Sequence, residues 1–256
     1  HTATTAKPLR KQKATVAPPF RSQFASTNND DRVRVEANGI PEHKVGPFPN
    51  RGNPNAIQQQ RYRFSLPADP KPADKTTPLR NNSPFGPPGR PFGIALNGVL
   101  LDPGTAEFFN GDRQSGWNYE ALGGAVPLGL DENHAHVQPN GAYHYHGLPT
   151  LYLKQLGVTA ERHSPQIGLA ADGFPIYSLY GFKNAKESTS DVVALKASFR
   201  LKKGQRPGGA NGPGGKYDGT FQEDYEYVEG LGDLDECNGR HCDARIPGRH
   251  LRVFSD

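Results

Sequence analysis

The chain has 256 residues, 34% of them hydrophobic, with 30 glycines and 24 prolines. That length can bury a core, and a glycine-plus-proline share of roughly one-fifth, against about 12% on average, excludes a helical bundle and points to short strands joined by many turns. No apolar run approaches the roughly 18 residues that a membrane-spanning helix needs, and the net charge of +4 does not mark a nucleic-acid binder. The excess lies in Lys7, Arg10, Lys11, Lys13 and Arg21, all within an acid-free stretch at the start of the chain, whereas a nucleic-acid binder carries its positive charge on the folded domain.

In chain order, residues 1–31 are polar and without period, so they read as a basic arm or linker. The domain begins at Arg32, where Arg-Val-Arg-Val-Glu alternates with period two and Asn38-Gly39 follows as a turn. Gln60–Leu66 alternates again, and the proline-rich stretch 67–91 reads as a surface loop. Phe92–Leu101 is an apolar strand pair broken by Asn97-Gly98. Further strand-like pieces fall around 133–146, 166–179, 192–202, 225–228 and 250–254. Only Pro149–Leu156 and the Thr189–Leu201 region could be short helices, and the Gly-rich segment 202–216 reads as a flexible loop. The expectation is a mostly β domain over 32–256, built from short antiparallel strands, long Gly/Pro-rich loops and few short helices.

Cys237 and Cys242 are the two cysteines; their even number and close spacing suit a small disulfide loop in an exported protein, with a zinc half-site as the rival. No methionine occurs, even at position 1, which fits a processed or trimmed chain.

The chemistry concentrates in residues 130–149. His134 and His136 stand two apart, as do His144 and His146, and on strands that spacing puts both members of a pair on one face. Pro139-Asn140-Gly141 fits a three-residue hairpin loop, a type I turn followed by a left-handed glycine. Pairing Gln138 with Ala142 then sets His136 opposite His144 and His134 opposite His146. All four imidazoles share one face, and Tyr143 and Tyr145 take the other. Facing residues lie about 4.5–5.5 Å apart, so three imidazoles can converge on an ion about 2.0–2.1 Å from each nitrogen. Clustered imidazoles repel once protonated and pack poorly, which favours a metal over chance. Imidazole suits several transition metals, zinc and copper foremost. Asp131 and Glu132 could add a carboxylate or merely sit in the approach to the hairpin. Calcium at Asp235 and Glu236 is a weaker possibility than an acidic surface turn.

The run Ala142-Tyr143-His144-Tyr145-His146-Gly147 resembles the signature of the YHYH-domain proteins, an exported, mainly bacterial family. The segments Asn38–His43, Gly52–Asn55, Asp102–Glu107, Trp117–Ala121, His163–Tyr177 and Asp224–Arg240 are similar as well, so the likeness spans about Arg32–Asp256. It implies an extracytoplasmic location and adds His43 and His163 as catalytic candidates; Glu132, from its place beside the hairpin, is another. It also demotes His134, which stands where the family is expected to carry Asn, leaving His136, His144 and His146 as the core ligands. Asp172, Tyr143 and Tyr145 are candidates for holding the ligand histidines from behind. A copper site at His1 is set aside, because His1 heads the basic arm.

Two functions fit. One is a metal-dependent enzyme, hydrolytic with zinc or oxidative with copper, using a coordination position left open by three histidines. The other is a non-catalytic zinc or copper protein, or a structural clamp. No Ser-His-Asp arrangement, phosphate loop or H-E-x-x-H helix supports another class.

Overall fold

The computed structural model describes residues 9–79, 90–242 and, as backbone, 250–253. Its centre is a mixed eight-stranded sheet. Its strands are β4 (Gly93–Ala95), β5 (Leu100–Leu101), β6 (Ala135–Val137), β7 (Tyr143–Tyr145), β8 (Gln166–Ala170), β9 (Pro175–Tyr177), β14 (Gly239–His241) and β15 (His250–Val253), ordered β14-β15-β9-β8-β4-β5-β7-β6. Most neighbours are antiparallel, but β5 runs parallel to β7 and β15 to β9. A second sheet of β1 (Phe24–Asn29), β2 (Arg32–Ala37) and β3 (Tyr62–Pro67) is antiparallel. Two small ribbons, β10 (Tyr180–Phe182) with β11 (Val192–Ala194) and β12 (Phe199–Leu201) with β13 (Tyr225–Tyr227), complete the strands.

The period-two alternation of these short strands sorts the core into two layers. On one face of the large sheet, Leu101, Tyr143 and Tyr145 pack with Ile40, Val45 and the helix α1 (Thr150–Gln155) through Tyr152. On the other, Ile94, Leu100 and Leu169 meet Val35 and Leu66 of the second sheet. Asn97-Gly98 turns β4 into β5, with Gly98 at φ +82 and its amide donating to the Ala95 carbonyl at 2.8 Å.

Three expectations change and one open reading closes. The Thr189–Leu201 region, which its sequence leaves between strand and helix, is strand, because Val193 and Leu195 are recruited by pairing with β10 and by a small core with Leu234. Residues 202–216 are tied down at their base, where Gln205 bridges to Lys216 and buried Arg206 grips Asp224 through Nε at 2.7 Å and Nη2 at 2.6 Å. The arm is not free over its described part. Phe24–Asn29 forms the edge strand of the second sheet, the Gln12 amide donates to the Leu130 carbonyl at 2.8 Å, and Val16 bridges to Val45. No disulfide joins Cys237 to Cys242. The Cys237 amide instead closes a turn on Asp235, and Cys242 Sγ lies 4.0 Å from the Arg240 carbonyl. Residues 80–89 of the proline-rich stretch and residue 254 of the last strand piece lie outside the described residues.

Candidate metal centre

The hairpin forms in the register that the loop dictates. The Gln138 amide donates to the Ala142 carbonyl at 2.9 Å, the Gly141 amide donates back to Gln138 at 2.8 Å, and Gly141 sits at φ +83. His136 therefore faces His144, with Val137 opposite Tyr143. His146 is two residues from His144 and adds a third ring. The ring centroids form a triangle with sides of 4.8, 4.6 and 4.6 Å, and ligand atoms from all three lie within 4.8 Å of one another.

Nitrogen orientation is what makes the triangle a site. His136 Nδ1 faces the Leu128 carbonyl at 2.9 Å, and His144 Nδ1 faces the Ala142 carbonyl at 3.3 Å. A proton on each Nδ1 leaves the Nε2 lone pairs free to bind. The Nε2 atoms of His144 and His146 approach to 3.0 Å. Two nitrogens bound at about 2.0–2.1 Å to one ion, about 90–110° apart, lie about 2.8–3.4 Å from each other. His146 Nδ1 is buried beside the Pro103 carbonyl without a partner in hydrogen-bonding geometry.

The rings are kept neutral. Burial, and then the neighbouring His136, push His144 down to about 3. Burial followed by His144 and His136 holds His146 well below its ordinary value, and burial also lowers His136. Neutral imidazole is the binding form, so no proton has to be displaced at neutral pH. His144 and His146 are 2% and 4% exposed, while His136 is half-buried and forms the accessible side.

A family model described as YHYH protein matches residues 63–247. The chain belongs to the YHYH protein family. No curated protein and no solved structure matches it. The run Tyr143-His144-Tyr145-His146 is strand β7 and the residue after it, with two histidines on the triad face and two tyrosines on the other. On the tyrosine face, the Tyr143 hydroxyl donates to Asp131 Oδ2 at 2.7 Å. Asn97 Nδ2 donates to the Tyr145 hydroxyl at 2.8 Å, which in turn donates to His43 Nε2 at 2.6 Å. His43 Nδ1 then donates to the Lys44 carbonyl at 2.8 Å. Tyr143 and Tyr145 thus brace the YHYH strand from behind, and His43 belongs to that bracing.

The other expected residues lie elsewhere. His134 adopts φ +54, which swings its ring out of the triad; Nδ1 faces the Leu148 carbonyl at 2.7 Å and Nε2 meets Lys11 Nζ at 2.6 Å. The backbone still keeps the counted register, since the His146 amide donates to the His134 carbonyl at 2.7 Å. Glu132 accepts the Ala14 amide at 2.8 Å and pairs with Lys13, so it fastens the arm. His163 packs on Tyr177 and Phe182. Tyr177 is on β9, four strands from β7 and hence about 19 Å away at the usual spacing. Asp172 is exposed in the β8–β9 turn. Asp235 caps its own turn through Cys237 and Gly239 amides, and Glu236 accepts from Thr76.

Sequence reasoning missed the groups that hold His136. Gly129, next to the Leu128 carbonyl, packs tightly against the backbone of Gly52 and Asn53, and Asn53 Nδ2 lies 3.3 Å from His136 Nδ1 while donating to the Val137 carbonyl at 2.9 Å. Glu107 is a charged neighbour of His136 and offsets part of the effect of its burial. Both Gly52–Asn55 and Asp102–Glu107 carry the family resemblance, the one signal that could have flagged them.

Proposed function

We propose that this YHYH chain is an exported metalloprotein in which Nε2 atoms of His136, His144 and His146 hold one transition-metal ion, zinc or copper, for a metal-dependent reaction. The observation that carries the reading is three converging, neutral imidazoles whose Nδ1 atoms on His136 and His144 are turned to backbone carbonyls. Zinc in such a position lowers the pKa of bound water for hydrolysis, whereas copper supplies redox chemistry. Three protein ligands leave a position open, and this favours an enzyme over a structural clamp. The protein's own part is to fix the ring orientations, hold the imidazoles unprotonated and restrict approach to the His136 side. A non-catalytic metal binder is the second reading, favoured by the burial of His144 and His146. Export is proposed from the family resemblance.

The test is elemental analysis and EPR of untagged protein purified without added metal, beside His144→Ala and His134→Ala. One equivalent of zinc or copper in the wild type and in His134→Ala, lost in His144→Ala, is expected. Protein that refuses both metals, or equal metal in all three, overturns the assignment. A water-derived ligand in the X-ray absorption spectrum separates the open site from a closed one.

A further inference from the structure

The three-stranded sheet ends in a strand whose outer edge is unguarded. β1 and β2 are joined by the two-residue turn Asp30-Asp31, with Asn29 opposite Arg32. Such a turn is closed by a hydrogen-bonded pair, and hydrogen-bonded pairs then recur at every second residue. At the far end the Asn38 amide donates to the Gln23 carbonyl at 3.1 Å, which keeps the same alternation. Asn29, Thr27 and Ala25 therefore turn their peptide groups to β2, and those of Phe24, Ser26 and Asn28 point outward. Among the described residues no backbone group bonds to these outward groups, and every residue of β1 except Phe24 is exposed. Open edges pair with other chains unless charge, proline or a covering group blocks them. Two other edge strands are blocked in this way. On β3 the Ser65 carbonyl accepts from Arg32, and Pro67 has no amide to offer. On β6 the Val137 carbonyl accepts from Asn53 at 2.9 Å and from Asn55 at 2.8 Å. β1 reads Phe-Ala-Ser-Thr-Asn-Asn, without charge or proline. Its charges lie just past its two ends and are of opposite sign: exposed Arg21 before it, exposed Asp30 and Asp31 after it. No ion pair among the described residues engages any of the three.

We infer that β1 is a dimerisation edge, on which a second copy of this chain pairs antiparallel about a two-fold axis at Ser26 and joins the two sheets into one. Outward peptide groups must meet outward groups. The register of greatest overlap therefore sets Ser26 against Ser26 of the second copy and Phe24 against its Asn28, each facing pair exchanging two backbone hydrogen bonds. Two-fold symmetry closes the contact, so growth stops at two copies. In this register the Arg21 end of one copy lies along the Asp30-Asp31 turn of the other, and symmetry repeats that match at the opposite end. A parallel pairing would instead bring like ends together. An unrelated strand would find the same backbone groups but not the two matched ends, which is why a second copy is the occupant. Strand pairing of this length buries less than the roughly 800 Å² per partner of a standard interface, so the dimer is reversible.

The experiment is sedimentation velocity of the full chain from micromolar to submillimolar concentration, at low and at high salt. Wild type should pass from monomer to dimer, and less readily at high salt, which screens the matched ends. Ser26→Pro removes an outward amide and should weaken association at least tenfold. The charge variants decide the matter should that one not fold. Arg21→Asp alone, and Asp30→Arg/Asp31→Arg alone, set like charges at both ends of their own dimers and should each stay monomeric. Mixed together they restore opposite charges at both ends, and the mixture should dimerise within about threefold of wild type. A wild type that remains monomeric throughout the series overturns the inference. So does a dimer that neither Ser26→Pro nor the charge variants weaken, or a mixture that associates no better than its separate components. A monomer that takes up an unrelated extended peptide along β1, seen as amide shifts at 24–29, also overturns it and gives the edge to a foreign strand.

Discussion

Acid should unfold the protein, freed of any metal, through its buried histidine triad. An imidazole in the unfolded chain titrates near 6.5, whereas His144 in the fold is held at about 3 by burial and then by His136. Between these values the unfolded state binds a proton that the native state refuses, so stability rises with pH and is lost as pH falls below 6.5. The slope is about 1.4 kcal/mol per pH unit for one group, which amounts to about 2 kcal/mol between pH 7 and pH 5 from His144 alone. His136, His146 and His43 are shifted in the same direction by burial and steepen the fall. Urea unfolding in EDTA at pH 7, 6 and 5 measures the slope. His144→Gln should remove about 2 kcal/mol of that pH dependence, whatever it costs at pH 7. An unchanged slope in the variant, or a His144 ring resonance titrating near 6.5 in the folded apoprotein, refutes the reasoning.

Three further outcomes are expected. Tyr145→Phe strands His43 Nε2 and Asn97 Nδ2, which should cost about 2–4 kcal/mol in thermal denaturation while bound metal stays stoichiometric, because the bracing lies on the opposite face. Gly129→Ala places a Cβ 2.6 Å from the Asn53 amide at a φ of +67; displacement of the adjacent Leu128 carbonyl should weaken zinc binding about 10-fold or more in a chelator competition. Removing residues 1–16 takes away the Gln12 bonds to Leu130 and Glu132 and the Val16–Val45 bridge, so amide exchange at 130–134 should speed up while that of β8 does not.

The hairpin was legible because its information is local. Loop length, the left-handed glycine and a period of two together fix which residues face each other, and His136 opposite His144 follows by counting. His134 shows the limit of counting. Its carbonyl obeys the register, but a positive φ outside the strand turns the ring away, and the composition around it gives no sign of that. The arm was misjudged over Phe24–Asn29 because polarity reports what a segment cannot bury. It says nothing of an open backbone edge, here that of β2, waiting to be paired. The parallel join of β5 to β7, which sets Leu100 beside His144, depends on chain crossings that no short window contains.

The tyrosine–histidine alternation has a consequence for how the strand can vary. Each of its side chains is committed to one of two incompatible surroundings, a dry hydrogen-bonded layer or a cluster of nitrogen lone pairs. Deleting or inserting one residue between Ala142 and His146 would exchange the two sides together, presenting phenols where the imidazoles converge and imidazoles to Asp131 and His43. Length is therefore as strictly constrained here as identity. The four letters can survive as an unbroken word because substitutions can be tried one at a time, whereas a shift of frame fails on both faces at once.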